Sequence, residues 1–194
     1  MRKAELKRKT KETDISLKIN LDGKGKSSIS TKIGFFDHML ESFSRHSLMA
    51  LDLKVDGDLH VDSHHTIEDT GIVLGQAMKE ALGDKKGIKR FGFASIPMDE
   101  ALTEVSVDLG GRAYAVYNCH IDYGMLGQMA FEDIEEFVFA LANGLGANIH
   151  INVRYGSNRH HVAESIFKAL ARSLREAVSI DQKEEGIPST KGII

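Results

Sequence analysis

Two five-residue stretches carry the donors of a metal site: His64-His65-Thr66-Ile67-Glu68 and, 96 residues later, His160-His161-Val162-Ala163-Glu164. On a helix, the first histidine and the glutamate lie four residues apart and share a face, while the second histidine projects roughly 100° away. One His-His-x-x-Glu turn therefore fans three donors outward, more than a single tetrahedral ion would take from one helix. His38 and Glu136 precede their His-His pairs by 26 and 24 residues and complete a set of eight candidate ligands. Imidazole nitrogens mixed with carboxylate oxygens, without a thiolate, suit Mn²⁺, Fe²⁺ or Zn²⁺, and favour octahedral Mn²⁺ over structural zinc. A single His-His pair opening a helix reads most simply as a surface cap. Two at matching positions of a repeat do not, and such turns make a poor core. The helix dipole disfavours added cations at this end, which suits neutral, metal-bound imidazoles.

These donors need strands and helices to hold them. Ile15, Leu17, Ile19 and Leu21 alternate along a half-buried strand over 13–21, after a charged, weakly alternating stretch at 3–9. Asp22-Gly23-Lys24-Gly25 predicts a hairpin turn into a short strand at 26–31. Phe36, Met39, Leu40 and Phe43 have helical spacing. Leu51, Leu53 and Val55 alternate again, with a second strand expected around Leu59 and Val61. Asp62-Ser63 supplies N-cap chemistry for a helix from His64 to Leu82, closed by Gly83. The second half predicts strands at 98–108 and 112–118 joined through Gly110-Gly111, a helix at 132–145, a strand at 148–154 and a helix at 160–178. The tail from Ile187 is irregular. This rhythm predicts one α+β body of two copies of a strand–helix unit, about 1–92 and 93–194, each a two-layer sheet/helix sandwich.

Composition excludes other classes. The chain has 194 residues, 42% apolar and 27% charged, enough for a sizeable core, and no apolar run can span a bilayer. Met1-Arg2-Lys3 leads into polar residues rather than a secretory h-region, and Cys119 stands alone, so a reducing cytoplasm is the expected location. A net charge of −3 makes no case for nucleic acid as a partner. Of nine histidines, His46, His60 and His120 have no acidic neighbour at ligand spacing. His150 alternates with Ile149 and Ile151 in a strand pattern and is read as structural. Arg90, Arg112, Lys168 and the run Ser189-Thr190-Lys191-Gly192 offer cations, hydroxyls and free amides that can hold a phosphate, a weak motif by itself.

At these residues the sequence resembles the imidazoleglycerol-phosphate dehydratases of histidine biosynthesis. The likeness runs through Thr10-Lys11-Glu12-Thr13, Phe35-Phe36-Asp37-His38-Met39-Leu40, Asp62 to Asp69, Lys89-Arg90-Phe91-Gly92 and Met98 to Leu102. It continues through Asp108 to Arg112, His160 to Ser165, Phe167-Lys168-Ala169 and Pro188 to Gly192, and so spans essentially the whole chain. The resemblance implies halves like the second domain of ribosomal protein S5, a 24-subunit shell with sites between subunits, and two Mn²⁺ per site. The implied ligands are His38, His64, His65, Glu68, His160, His161 and Glu164, with Glu136 where the family often has histidine.

The implied reaction turns imidazole glycerol phosphate into imidazole acetol phosphate and water, through a metal-bound imidazolate and a diazafulvene-like intermediate. Metal would serve as Lewis acid and template, and a carboxylate as general base. Glu12 is the family-matched base, with Glu68 and Glu164 as rivals. Arg90, Arg112, Ser189, Thr190 and Lys191 would hold the phosphate, assisted by Lys168; Asp37, Asp69 and Asp99 would accept from ligand histidines. A dinuclear metallohydrolase and a non-catalytic metal-storage shell are the competing readings.

Overall fold

The computed structural model describes residues 1–194. The first sheet is built from β1 (Lys3–Lys9), β2 (Thr13–Asn20), β3 (Ser27–Ser30) and β4 (Ala50–Gly57) in the order β1-β2-β4-β3. On β2, Thr13, Ile15, Leu17 and Ile19 turn inward and the residues between them face out, as period-two alternation requires. The charged stretch at the N-terminus is a strand because it occupies the sheet edge, where its lysines and glutamate stay in water while Ala4 is buried.

Two expectations are corrected here. Asp22 to Gly25 does not make a hairpin: both edges of β2 are taken by β1 and β4, so the chain crosses to the free edge of β4, where β3 pairs in parallel. Residues 59–61 form a turn closed by the Val61 amide donating to the Asp58 carbonyl, not a strand.

The second sheet comprises β5 (Phe91–Met98), β6 (Ala101–Asp108), β7 (Tyr114–Asn118) and β10 (Asn148–Tyr155), ordered β5-β6-β10-β7. The expected 98–108 strand starts later, because Asp99 and Glu100 are a two-residue turn with Asp99 at φ 47°, a left-handed conformation that aspartate tolerates. β6 and β7 do not pair with each other; β10 lies between them. His150 on β10 is exposed beside the Tyr114 ring. A small hairpin, β8 (Met125–Leu126) with β9 (Met129–Ala130), turns at Gly127, where φ is 64°.

Four helices lie between the sheets: α1 (Gly34–Ser47), α2 (His64–Leu82), α3 (Asp133–Leu145) and α4 (Arg159–Ala177). α2 covers the first sheet and α4 the second, while α1 packs on α4 and α2 on α3. Each helix–helix contact thus joins opposite halves of the sequence. Phe36, Phe137 and Phe167 meet with ring centroids 5.3 to 6.5 Å apart, and one continuous core runs through both halves. No helix is long and apolar enough to cross a membrane.

The α2–α3 crossing is made close by glycine. A Cβ on Gly75 would lie 2.6 Å from the Leu141 carbonyl oxygen and 2.7 Å from the Leu145 nitrogen, both backbone atoms. Gly75→Val should therefore push the helices apart and cost about 1–3 kcal/mol of stability, read as a lowered urea midpoint; an unchanged midpoint would show that the crossing tolerates a wider spacing.

Candidate metal centre

Both motif helices start in the same way. The Asp62 side chain accepts from the His64 amide at 2.9 Å, and Asn158 accepts from the His160 amide at 2.9 Å. Ser63, expected to contribute to this cap, instead donates its hydroxyl to Asp133 on α3 at 2.5 Å. In each helix the first histidine and the glutamate then align: His64 Nε2 lies 3.7 Å from Glu68 and His160 Nε2 lies 3.7 Å from Glu164.

The α1–α4 contact brings in a donor from the other half. His38 Nε2 is 3.9 Å from Glu164 Oε1, and one ligand atom each from His38, His160 and Glu164 fall within 4.8 Å of one another. Two imidazoles and a carboxylate at that spacing can hold a divalent ion. Lys168 reaches Glu164 Oε1 at 3.1 Å and Met98 Sδ at 3.4 Å, and the Phe35 ring meets His160 edge-on. Around His64 the equivalent positions differ. Asp133 stands in the place of Phe35, 3.8 Å from His64 Nδ1, and Ile72 in the place of Lys168. Burial pushes the Asp133 carboxyl upward despite the Ser63 bond. Glu136 and Glu68 line one cleft of about 420 Å³ along α2 and α3, without Glu136 reaching ligand spacing to His64 and Glu68.

The second histidine of each motif turns away. His65 Nδ1 is bonded to Asp58 at 3.0 Å, and His161 Nδ1 to Glu100 at 2.6 Å. A carboxylate on Nδ1 fixes the tautomer that leaves Nε2 free to bind a metal. Asp58 and Glu100 thus hold the role expected of Asp37 and Asp69. Asp37 instead accepts from the Thr31 amide and hydroxyl, each at 2.7 Å, and Asp69 from Thr13. Asp99 approaches His161 Nε2 at 3.6 Å. Sequence spacing could have found Glu100: β1–β2 and β5–β6 match at an offset of 88, which pairs it with Glu12. Asp58 has no such signal, because it lies in a turn that the sequence reads as a strand start. Glu12 lies at the mouth of the hairpin, 4.0 Å from His65 Nε2, and its carboxylate accepts no hydrogen bond within the chain.

The basic residues divide in two. Arg90, Arg112, Ser189, Thr190 and Lys191 gather in a cleft of about 430 Å³; Lys168 is not in it. Arg90 is partly spent: its guanidinium donates to both Asp108 oxygens at 2.7 and 3.1 Å and to the Pro188 carbonyl at 2.9 Å, anchoring the tail. The Arg90 amide bonds the Ala177 carbonyl at the C-terminal end of α4, while His160 opens that helix. At about 1.5 Å per residue the 19-residue helix separates the two groups by about 27 Å.

The Glu100–His161 bond has a pH signature. The imidazole N–H and the Asn158 amide hold the Glu100 carboxyl down at about 2, against an ordinary 4.5, and Glu100 raises His161 above 6.5. A depressed carboxyl contributes stability that is lost as pH falls through its folded value. A raised imidazole contributes stability that is lost as pH rises through its own. In metal-free protein, wild type should exceed Glu100→Gln in urea midpoint most clearly between pH 4.5 and 6.5, with the gap narrowing above. A gap independent of pH would contradict the pairing.

The family model described as imidazoleglycerol-phosphate dehydratase matches residues 31–174. The imidazoleglycerol-phosphate dehydratase of Streptococcus sanguinis is 54% identical over 194 residues, covering all of both chains. That of Acetivibrio thermocellus is 53% identical over 193 residues, covering all of this chain and 99% of the relative. The crystal structure of the Staphylococcus aureus enzyme superposes with a TM-score of 0.84 at 36% identity, over 92% of this chain and 99% of that one. The Pyrococcus furiosus enzyme in complex with (S)-C348 gives 0.85 at 39% identity, over 97% and 100%. With its fold, its motifs and its full-length relatives in agreement, the chain belongs to the imidazoleglycerol-phosphate dehydratase family.

Proposed function

We propose that this protein dehydrates imidazole glycerol phosphate to imidazole acetol phosphate in histidine biosynthesis, in the cytoplasm, with two Mn²⁺ per active site. The observation that carries the reading is the convergence of His38, His160 and Glu164 from opposite halves within 4.8 Å, on the fold of this family. His38, His160 and Glu164 would hold one ion, and His64, Glu68 and Glu136 the other. His65 and His161 diverge from their own clusters and would complete the sites of neighbouring copies. When bound, the ions supply Lewis acidity toward the nitrogens of the substrate ring.

The rest falls to the chain. Glu12 removes the proton from the substrate carbon, since its carboxylate carries no internal hydrogen bond. Its rivals are taken as ligands in this reading: Glu164 lies between Lys168 and two histidines, and Glu68 shares a helix face with His64. Arg90, Arg112, Ser189, Thr190 and Lys191 hold the phosphate, with Lys168 assisting from the metal side. An imidazole, three carbons and a phosphate span far less than the length of α4. Ring-binding and phosphate-binding groups therefore meet only between copies, which supports a shell with shared sites; we infer 24 subunits from the family resemblance.

Product formation from imidazole glycerol phosphate should require Mn²⁺, and Glu12→Gln should lose turnover while keeping metal content and assembled mass. A metallohydrolase would instead release phosphate or cleave an amide, and a storage shell would turn over nothing. His160→Ala should lower bound metal and shift the assembled mass measured by light scattering. Full metal and mass in that variant would rule out His160 as a ligand.

A further inference from the structure

The two hairpins that carry Glu12 and Glu100 are repeat mates, yet their carboxylates are treated differently. Glu100 accepts from the amides of Ser157 and Asn158 at 3.2 and 2.8 Å and from His161 at 2.6 Å, so its own side chain is locked in place. Glu12 has no such bonds. A carboxylate that must take up a proton needs free lone pairs, so its position must be set through the backbone instead.

That backbone is held at three points. The Glu12 carbonyl accepts from the Asp58 amide at 3.0 Å, and the Thr10 hydroxyl accepts from the amides of Glu12 and Thr13 at 3.1 and 3.0 Å. Thr13, the next residue, donates its hydroxyl to Asp69 Oδ2 at 2.5 Å, and Arg8 across the hairpin lies 2.5 Å from the same oxygen. Asp69 is buried on α2, directly after Glu68, so one carboxylate clamps both strands of the hairpin to the motif helix. A hydrogen bond to an ionised acceptor is about twice as strong as a neutral one. In the other half the mate of Asp69 is Ser165, whose hydroxyl meets Thr103 at 2.6 Å without any ion. The charged clamp is present only where the carboxylate at the turn is left free.

We propose that Asp69, through Thr13 and Arg8, is a positioning residue that sets Glu12 over the motif helix for proton removal, which rests on Glu12 being the base in the function proposed above. Thr13→Val keeps the shape and removes the donor; Asp69→Asn weakens the clamp from the other side. In the assembled Mn²⁺ enzyme both should lower kcat roughly 10- to 100-fold, the scale of a small misplacement of a catalytic group, with KM within about twofold. The deuterium isotope effect for substrate labelled at the carbon that loses its proton should increase, because proton transfer becomes slower relative to the other steps. A purely structural role would reduce the active fraction and leave that isotope effect unchanged, which would overturn the proposal, as would an unaltered kcat in Thr13→Val. Amide exchange at residues 10–13 reads the clamp independently of turnover: it should accelerate in both variants, and unchanged exchange overturns the proposal. Inactive wild type or a fully active Glu12→Gln would instead strike the proposed function, leaving the exchange result to decide the clamp.

Discussion

Helices α1 and α4 come from opposite halves of the sequence but bury their apolar faces against each other, and α2 and α3 do the same. Everything at the candidate centre follows from this exchange. A half alone would have a sheet with one covered face and helices with their other faces in water. Joined, the halves share Phe36, Phe137 and Phe167, and burying each ring is worth on the order of 2–3 kcal/mol. Those rings are near neighbours in sequence of His38, Glu136 and Lys168. Packing the phenylalanines inward fixes which way the polar residues beside them point.

Duplication then supplies two related ends that are not equivalent. A side-chain oxygen two residues upstream opens each motif helix, and a carboxylate holds the Nδ1 of each second histidine, though Asp58 and Glu100 come from different places in the repeat. The surroundings differ: His160 packs beside Phe35, with Lys168 on Glu164, whereas His64 lies beside Asp133 and Glu68, and Glu136 shares a cleft with Glu68. At one end a cation, Lys168, pairs with the motif glutamate, and at the other Glu68 has His64 alone.

The placement of the basic cleft gives the fold its polarity. Arg90 closes the C-terminal end of α4 and pins the tail through Pro188, while the histidines crowd the N-terminal end. A rigid 19-residue helix keeps the two apart. No side-chain rearrangement within one chain closes that distance, so a small phosphorylated ligand that uses both must sit where copies meet.

Much of this was legible in the residues themselves. The alternation in β2 and β4 and the 3.6-residue spacing of α2 and α4 report burial of one face, a local property that sequence period reveals directly. The paired motifs were readable for the same reason, since donors on one helical turn have their geometry set by the backbone. Strand neighbours were not: whether β3 pairs with β2 or β4 depends on which edges are already taken. Nor were the partners of Asp69, Asp58 and Glu100, whose bonds cross 7 to 61 residues of chain. The sequence by itself determined which side chains could bind a metal or an anion; only tertiary packing decided which of them meet, because hydrogen bonds and ion pairs act over a few ångströms and such distances between remote segments exist only once the core has closed.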